Sequence, residues 1–94
     1  MKLIGLEVLE NFRRGHADIR NPLDAWEAEA RDAQWTTPQD IKDRYASASF
    51  IGDDRVVFNI KGTKYRLDVK VNYRHQIVLV KRIGTHEEYN KWTF

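Results

Sequence analysis

The spacing of apolar residues changes near the middle of the chain. Between Leu6 and Tyr45 they recur every three or four positions, and after Ala46 every second one. The first period places side chains on one helical stripe and the second places them on one face of a strand. Met1-Lys2-Leu3-Ile4, closed by Gly5, reads as a short edge strand. Leu6, Leu9 and Phe12 follow at helical spacing, with Arg13 and Arg14 where a helix C-terminus favours cations. Asn21-Pro22-Leu23-Asp24 predicts a second helix start, with Asn21 as cap and Pro22 in the first helical position. Its stripe is Leu23, Trp26, Ala30 and Ala33. Thr37-Pro38-Gln39-Asp40 repeats the start signal for a short third helix that turns Ile41 and Tyr45 inward. Trp26 and Trp35 lie on or beside this apolar stripe and read as core anchors.

The second half predicts an antiparallel meander. Strands are expected over Ala46–Ile51, Arg55–Lys61, Lys64–Tyr73 and Gln76–Arg82. The turns fall at Gly52-Asp53-Asp54, Gly62-Thr63 and Arg74-His75. Along Tyr65–Asn72 the alternation is strict. Leu67, Val69 and Val71 share one face, and Arg66, Asp68, Lys70 and Asn72 share the other. Ile77-Val78-Leu79-Val80 is apolar on both faces, which predicts a central strand covered on both sides. The expected architecture is α+β: a small twisted sheet with two to three helices on one side and a charged concave face on the other.

Charge sharpens this picture. Residues 1–54 carry 7 Lys/Arg and 11 Asp/Glu, while residues 55–94 carry 9 Lys/Arg and 3 Asp/Glu. The overall +2 therefore hides an acidic half and a basic half, and a basic sheet face suits a polyanion or an acidic partner. A chain of 94 residues is expected to form one domain and to bury only about 60–65% of its unfolded surface. A groove or an open face is then the expected working site, since so small a core leaves no room for a deep cavity. With no cysteine, disulfides and thiolate metal sites are excluded. His16, His75 and His86 are too scattered to read as a ligand cluster, so no metal and no cofactor is expected. No apolar run approaches the ~20 residues that span a bilayer, and no signal peptide is read at the start. A cytoplasmic location is the expectation.

Five stretches carry a resemblance to a known family. They are Leu23-Asp24-Ala25-Trp26, Trp35-Thr36-Thr37-Pro38, Arg55 to Gly62, Lys64-Tyr65-Arg66-Leu67, and Gly84-Thr85-His86-Glu87-Glu88-Tyr89. In this order and spacing they make the chain similar to the HigB toxins of bacterial type II toxin-antitoxin systems, within the wider RelE/ParE-like superfamily. Thr63 stands where that pattern has asparagine, and Asn90 where it has aspartate. The resemblance implies a RelE-like fold and an endoribonuclease that cuts mRNA on the ribosome. It also implies a cognate helix-turn-helix antitoxin, HigA-like, that holds the toxin inactive. The alternative is a non-catalytic toxin or regulatory module that uses the same basic face, as a ParE-like gyrase inhibitor does.

RNA cleavage without a metal requires a base near the 2′-hydroxyl, an acid near the departing 5′-oxygen, and cations on the phosphorane. His86 is the candidate for proton transfer, because histidine is the side chain that ordinarily titrates near neutrality. The position it occupies is, in the RelE branch, an arginine, so the resemblance implies that this branch distributes proton transfer differently. Arg66 matches the arginine of the superfamily's middle strand, and its planar fork suits two phosphate oxygens. Lys81 interrupts an apolar strand and is read as a phosphate contact. Arg82 takes that place if a bulge exchanges their faces. Tyr89, three residues after His86, would orient it or bond phosphate. Lys70 shares the face of Arg66 and is a candidate RNA contact. Tyr73 and Trp92 are candidate base-stacking platforms. Asp68 is read as a positioning group paired with Arg66 or Lys70. His75 reads as solvated and His16 as a helix-end residue.

Overall fold

The computed structural model describes all residues from Met1 to Phe94. Strand β1 (Lys2–Ile4) leads into helix α1 (Leu6–Gly15), a 3-10 turn (Ala17–Ile19), α2 (Arg20–Asp32) and α3 (Pro38–Arg44). Strands β2 (Ser49–Gly52), β3 (Arg55–Ile60), β4 (Tyr65–Asn72) and β5 (Ile77–Thr85) follow, with a short helix α4 (His86–Tyr89) after them. The five strands form one sheet in the order β1-β5-β4-β3-β2. The meander is antiparallel, as expected, and β1 joins it parallel to β5. The result is an open mixed sheet of the RelE-like α+β kind.

The helical half covers one sheet face. Val56, Phe58 and Ile60 of β3, Leu67, Val69 and Val71 of β4, and Val78 and Val80 of β5 pack beneath Leu9, Ile19, Leu23, Trp26 and Ile41. Phe58 sits at the centre of an aromatic cluster, with the rings of Trp26 at 5.4 Å, Trp35 at 6.2 Å and Tyr45 at 5.1 Å. Both predicted tryptophan anchors are buried. Arg13 does more than favour a helix end. Its guanidinium bonds Glu10 at 2.6 Å and, from α2, Glu27 and Asp24 at 2.9 Å each, which ties α1 to α2. Gly5 makes the sharp passage from β1 into α1 at φ +88°, where a Cβ would stand 2.7 Å from the Val80 carbonyl oxygen.

Three sequence expectations are corrected. Asn21 does not cap α2, because the chain is already helical through Ala17–Ile19 and α2 starts at Arg20, leaving Pro22 inside the first turn. Strand β2 begins at Ser49 and not at Ala46. Strand β5 is interior, between β1 and β4, but it is not the central strand and is not covered on both sides. Val78 and Val80 are buried under the helices, while Ile77 and Leu79 are half-buried on the open face. Thr37 does cap α3, accepting from the Asp40 backbone N–H while the Asp40 carboxylate accepts from that of Thr37.

Candidate functional site

Pairing between β3, β4 and β5 orders the open face into rows. Arg66 lies opposite Asn59 and Gly84, Asp68 opposite Val57 and Arg82, Lys70 opposite Arg55 and Leu79, and Asn72 opposite Ile77. The register shifts between Asp68 and Val69, where β5 carries the extra residue Lys81 between Val80 and Arg82. This bulge keeps Val80 with the core and puts Arg82 in the row of Asp68. Lys81 is exposed and makes no ion pair, and Arg82 stands where an unbroken strand would have turned it away.

Asp68 is fully buried on this face. Its carboxylate accepts from Arg82 Nε at 2.9 Å and Arg55 Nε at 3.0 Å, and Arg55 closes a second contact through its terminal nitrogen. The predicted partners Arg66 and Lys70 are not used. Three terminal residues complete the cover. The Arg82 guanidinium stacks 4.5 Å from the Trp92 ring and 4.9 Å from the Phe94 ring, and donates to the Thr93 carbonyl at 3.0 Å. Arg55 lies 5.4 Å from the Phe94 ring. Trp92 is therefore a packed, half-buried ring on the open face, with Tyr89 edge-on at 5.6 Å.

At one end of the face, α4 turns sharply off β5. Thr85 Oγ accepts from the Glu88 backbone N–H at 3.2 Å, and Glu88 accepts from that of Thr85 at 2.9 Å. That backbone N–H also holds the Glu88 carboxyl below its ordinary range. The turn is possible because residue 84 is glycine: a Cβ there would meet Trp92 at 2.9 Å and Glu88 at 3.2 Å. His86 is thereby the first residue of α4, its backbone N–H bonded to the Lys64 carbonyl at 2.9 Å. Its side chain is exposed and makes no hydrogen bond within the chain.

His86 lines a polar depression of about 460 Å³ together with Thr63, Lys64, Thr85 and Glu87. Arg66 reaches the edge of this depression, at Thr63, from β4. Its guanidinium donates to the Thr63 carbonyl at 2.5 Å and lies 5.2 Å from the Tyr89 ring. It thus bridges the β3–β4 turn and α4 and ignores both Asp68 and Glu87. Lys64 is held by the Asp18 carboxylate, which raises the lysine pKa and lowers that of Asp18. Asp18 also accepts from Tyr65 Oη at 2.6 Å and contacts Lys61 at 3.3 Å, anchoring the turn to the helical layer.

Of the sequence-predicted residues, only His86 lines this depression; Arg66 is tied to its Thr63 edge and stacks on Tyr89. Lys81 and Arg82 lie further along β5, and Lys70 and Tyr73 border a separate groove at the far end of the face. His75 is exposed in its turn, and His16 ends α1 with its ring stacked on Phe12 at 3.9 Å. The sequence reading missed Thr63, Lys64, Thr85 and Glu88. Thr85-His86-Glu87-Glu88 is a capping-box pattern and could have placed His86 at a helix start. An exposed imidazole in a polar hollow can exchange a proton, and a guanidinium held at its edge can stabilise an anion.

A five-stranded open mixed sheet with helices on one face, a basic open face and a histidine at its rim is the architecture of the RelE-like fold. Residues 19–92 match the HigB toxin family, the RelE-like toxic component of a toxin-antitoxin system, and the chain belongs to that family. The match begins at the end of the 3-10 turn and leaves outside it the residues before Ile19, with β1 and α1, and the last two residues. No curated protein matches the chain. No helix is long and apolar enough to cross a membrane.

Proposed function

We propose that this toxin is a metal-independent endoribonuclease that cleaves mRNA on the ribosome and so stops translation. The observation that carries the reading is an exposed His86 lining a polar depression at the end of a basic sheet face, with Arg66 bonded to Thr63 at the edge of the same depression. The 2′-oxygen attacks the adjacent phosphorus and gives up its proton, and the P–O5′ bond breaks as the leaving oxygen takes one. The products are a 2′,3′-cyclic phosphate and a 5′-hydroxyl. His86 exchanges a proton in this step, with its ring free of internal partners. Arg66 stabilises the charge on the phosphorane oxygens, and Tyr89, against the Arg66 guanidinium, fixes its direction or bonds a phosphate oxygen. Lys81 and Arg82 extend the cationic track along β5.

In this reading the partners are mRNA, the ribosome and a helix-turn-helix antitoxin of the HigA kind, all in the cytoplasm. The test is to incubate the purified chain with mRNA, with and without ribosomes, and to read the chemistry of the new ends. Cyclic phosphate or its hydrolysed form is expected. Primary 3′-hydroxyl ends, or intact RNA with ribosomes present, would overturn the proposal.

A further inference from the structure

At the opposite end of the open face from His86 lies a groove of about 380 Å³. Much of its apolar surface comes from Ile77 and Leu79, half-buried β5 side chains on the open face. Lys70, Tyr73 and Arg74 stand around it, and Asp54 enters from the β2–β3 turn. Burial, followed by the charges of Asp54 and Asp40, raises the pKa of Tyr73, so its phenol is a protonated donor at neutral pH.

The mixture of groups narrows the ligand. A purely apolar ligand would strip water from Lys70, Arg74 and Asp54 without replacing it. A simple anion would leave the aliphatic surface unused and would meet Asp54, and an acidic peptide meets the same carboxylate. One nucleotide uses every part: a flat base against Ile77 and Leu79, base or ribose donors toward Asp54, and phosphates toward Lys70 and Arg74. The two cations outweigh the one carboxylate, as a phosphodiester requires. From Arg66 to Asn72 the strand advances ~20 Å, a distance that a few nucleotides of single-stranded RNA can bridge.

We propose that this groove is a second nucleotide subsite, which holds one base of the RNA a few nucleotides from the bond at His86. The inference rests on the nuclease reading and adds to it a grip on the substrate remote from the chemistry. The experiment follows the methyl resonances of Ile77 and Leu79 in the full chain during titration with each of the four nucleoside 5′-monophosphates. Inorganic phosphate and ribose 5-phosphate are titrated separately. Nucleotides are expected to move both methyls, and the two base-free phosphates to leave them in place. Leu79→Glu should abolish the shift of the Ile77 methyl and weaken binding of an RNA made uncleavable by 2′-deoxy substitution about tenfold, in the range of one lost base contact. Arg14→Glu, on exposed α1 surface, should leave RNA affinity unchanged. Should Leu79→Glu fail to melt cooperatively, Arg74→Glu in the exposed turn tests the same loss.

Methyls indifferent to all four nucleotides would overturn the subsite, as would equal shifts from phosphate alone. Unchanged RNA affinity in Leu79→Glu, with lost binding of a purified antitoxin, would also overturn it and make the groove a protein dock. The titration does not depend on cleavage. Nucleotide shifts without RNA cutting would keep the groove and remove the nuclease, and cutting without shifts would do the reverse.

Discussion

Asp68 offers the sharpest test of how the open face is held. Replacing it with Ala removes a fully buried carboxylate and leaves Arg55 and Arg82 facing each other. Breaking a fully buried ion pair from one side costs about 3–5 kcal/mol, because the charge left behind is uncompensated. Here the side chains of Arg55 and Arg82 are 21% and 33% exposed, so water reaches part of each guanidinium. That relief brings the expected loss to about 2–4 kcal/mol, or a fall in Tm of roughly 10–25 °C for a domain of this size. Asp68→Asn keeps the shape and one acceptor, and should lose about half as much. Urea unfolding followed by tryptophan fluorescence measures both, provided the m-value stays constant. A loss below about 1 kcal/mol for Asp68→Ala would mean that the arginines are independently solvated. The packing of Trp92 and Phe94 over them would then not describe the molecule in solution.

Other outcomes follow from the site. His86→Gln should slow cleavage by on the order of 10²–10⁴ in single-turnover assays with an unchanged Tm, and wild-type cutting by a folded variant would move proton transfer elsewhere, with Tyr89 the next residue to test. Arg66→Ala should lower both cleavage and RNA affinity, read by the same assay and by ribosome co-sedimentation, since its charge meets phosphate before and during the reaction. Gly84→Val should displace α4 and Trp92 from the sheet, lowering activity more than stability and changing tryptophan emission, because its branches add to a Cβ already 2.9 Å from the Trp92 ring. Asp18→Asn should lower Tm at pH 7. The wild-type carboxyl is depressed by Lys64 and Tyr65, so its contribution is complete above the ordinary value of 3.8 and fades as pH falls below it. The gap between the two melting curves should therefore close in acid.

Regular patterns made much of the fold legible. The alternation along Tyr65–Asn72 assigned both faces of β4 correctly, and helical spacing found the stripe of Leu23, Trp26 and Ala30. Thr37-Pro38 marked a true helix start, whereas Asn21-Pro22 did not, because a 3-10 turn had already begun the helix upstream. Which of Lys81 and Arg82 shares the row of Asp68 depended on a bulge, and a one-residue slip leaves no periodic trace. His86 and Arg66 were found as site candidates through family motifs. The partners of Asp68 were not legible, since Arg55 lies far from it in sequence and meets it only across folded strands, and Trp92 and Phe94 meet the arginines they cover in the same way.

The parallel pairing of β1 with β5 has a consequence in time. Lys2–Ile4 cannot take its place until Ile77–Leu79 exists beside it, so the first strand waits for nearly the whole chain to be made. Contacts of such long sequence separation form slowly, because a large loop must close before they stabilise anything. Arg66, Gly84, His86 and Tyr89 also lie on the late-made strands and the helix after them. A ribosome making this protein therefore carries an unfinished sheet for most of the synthesis, and the depression around His86 is assembled only after β5 and α4 have emerged. The topology thus makes the depression around His86 one of the last parts of the sheet to take shape.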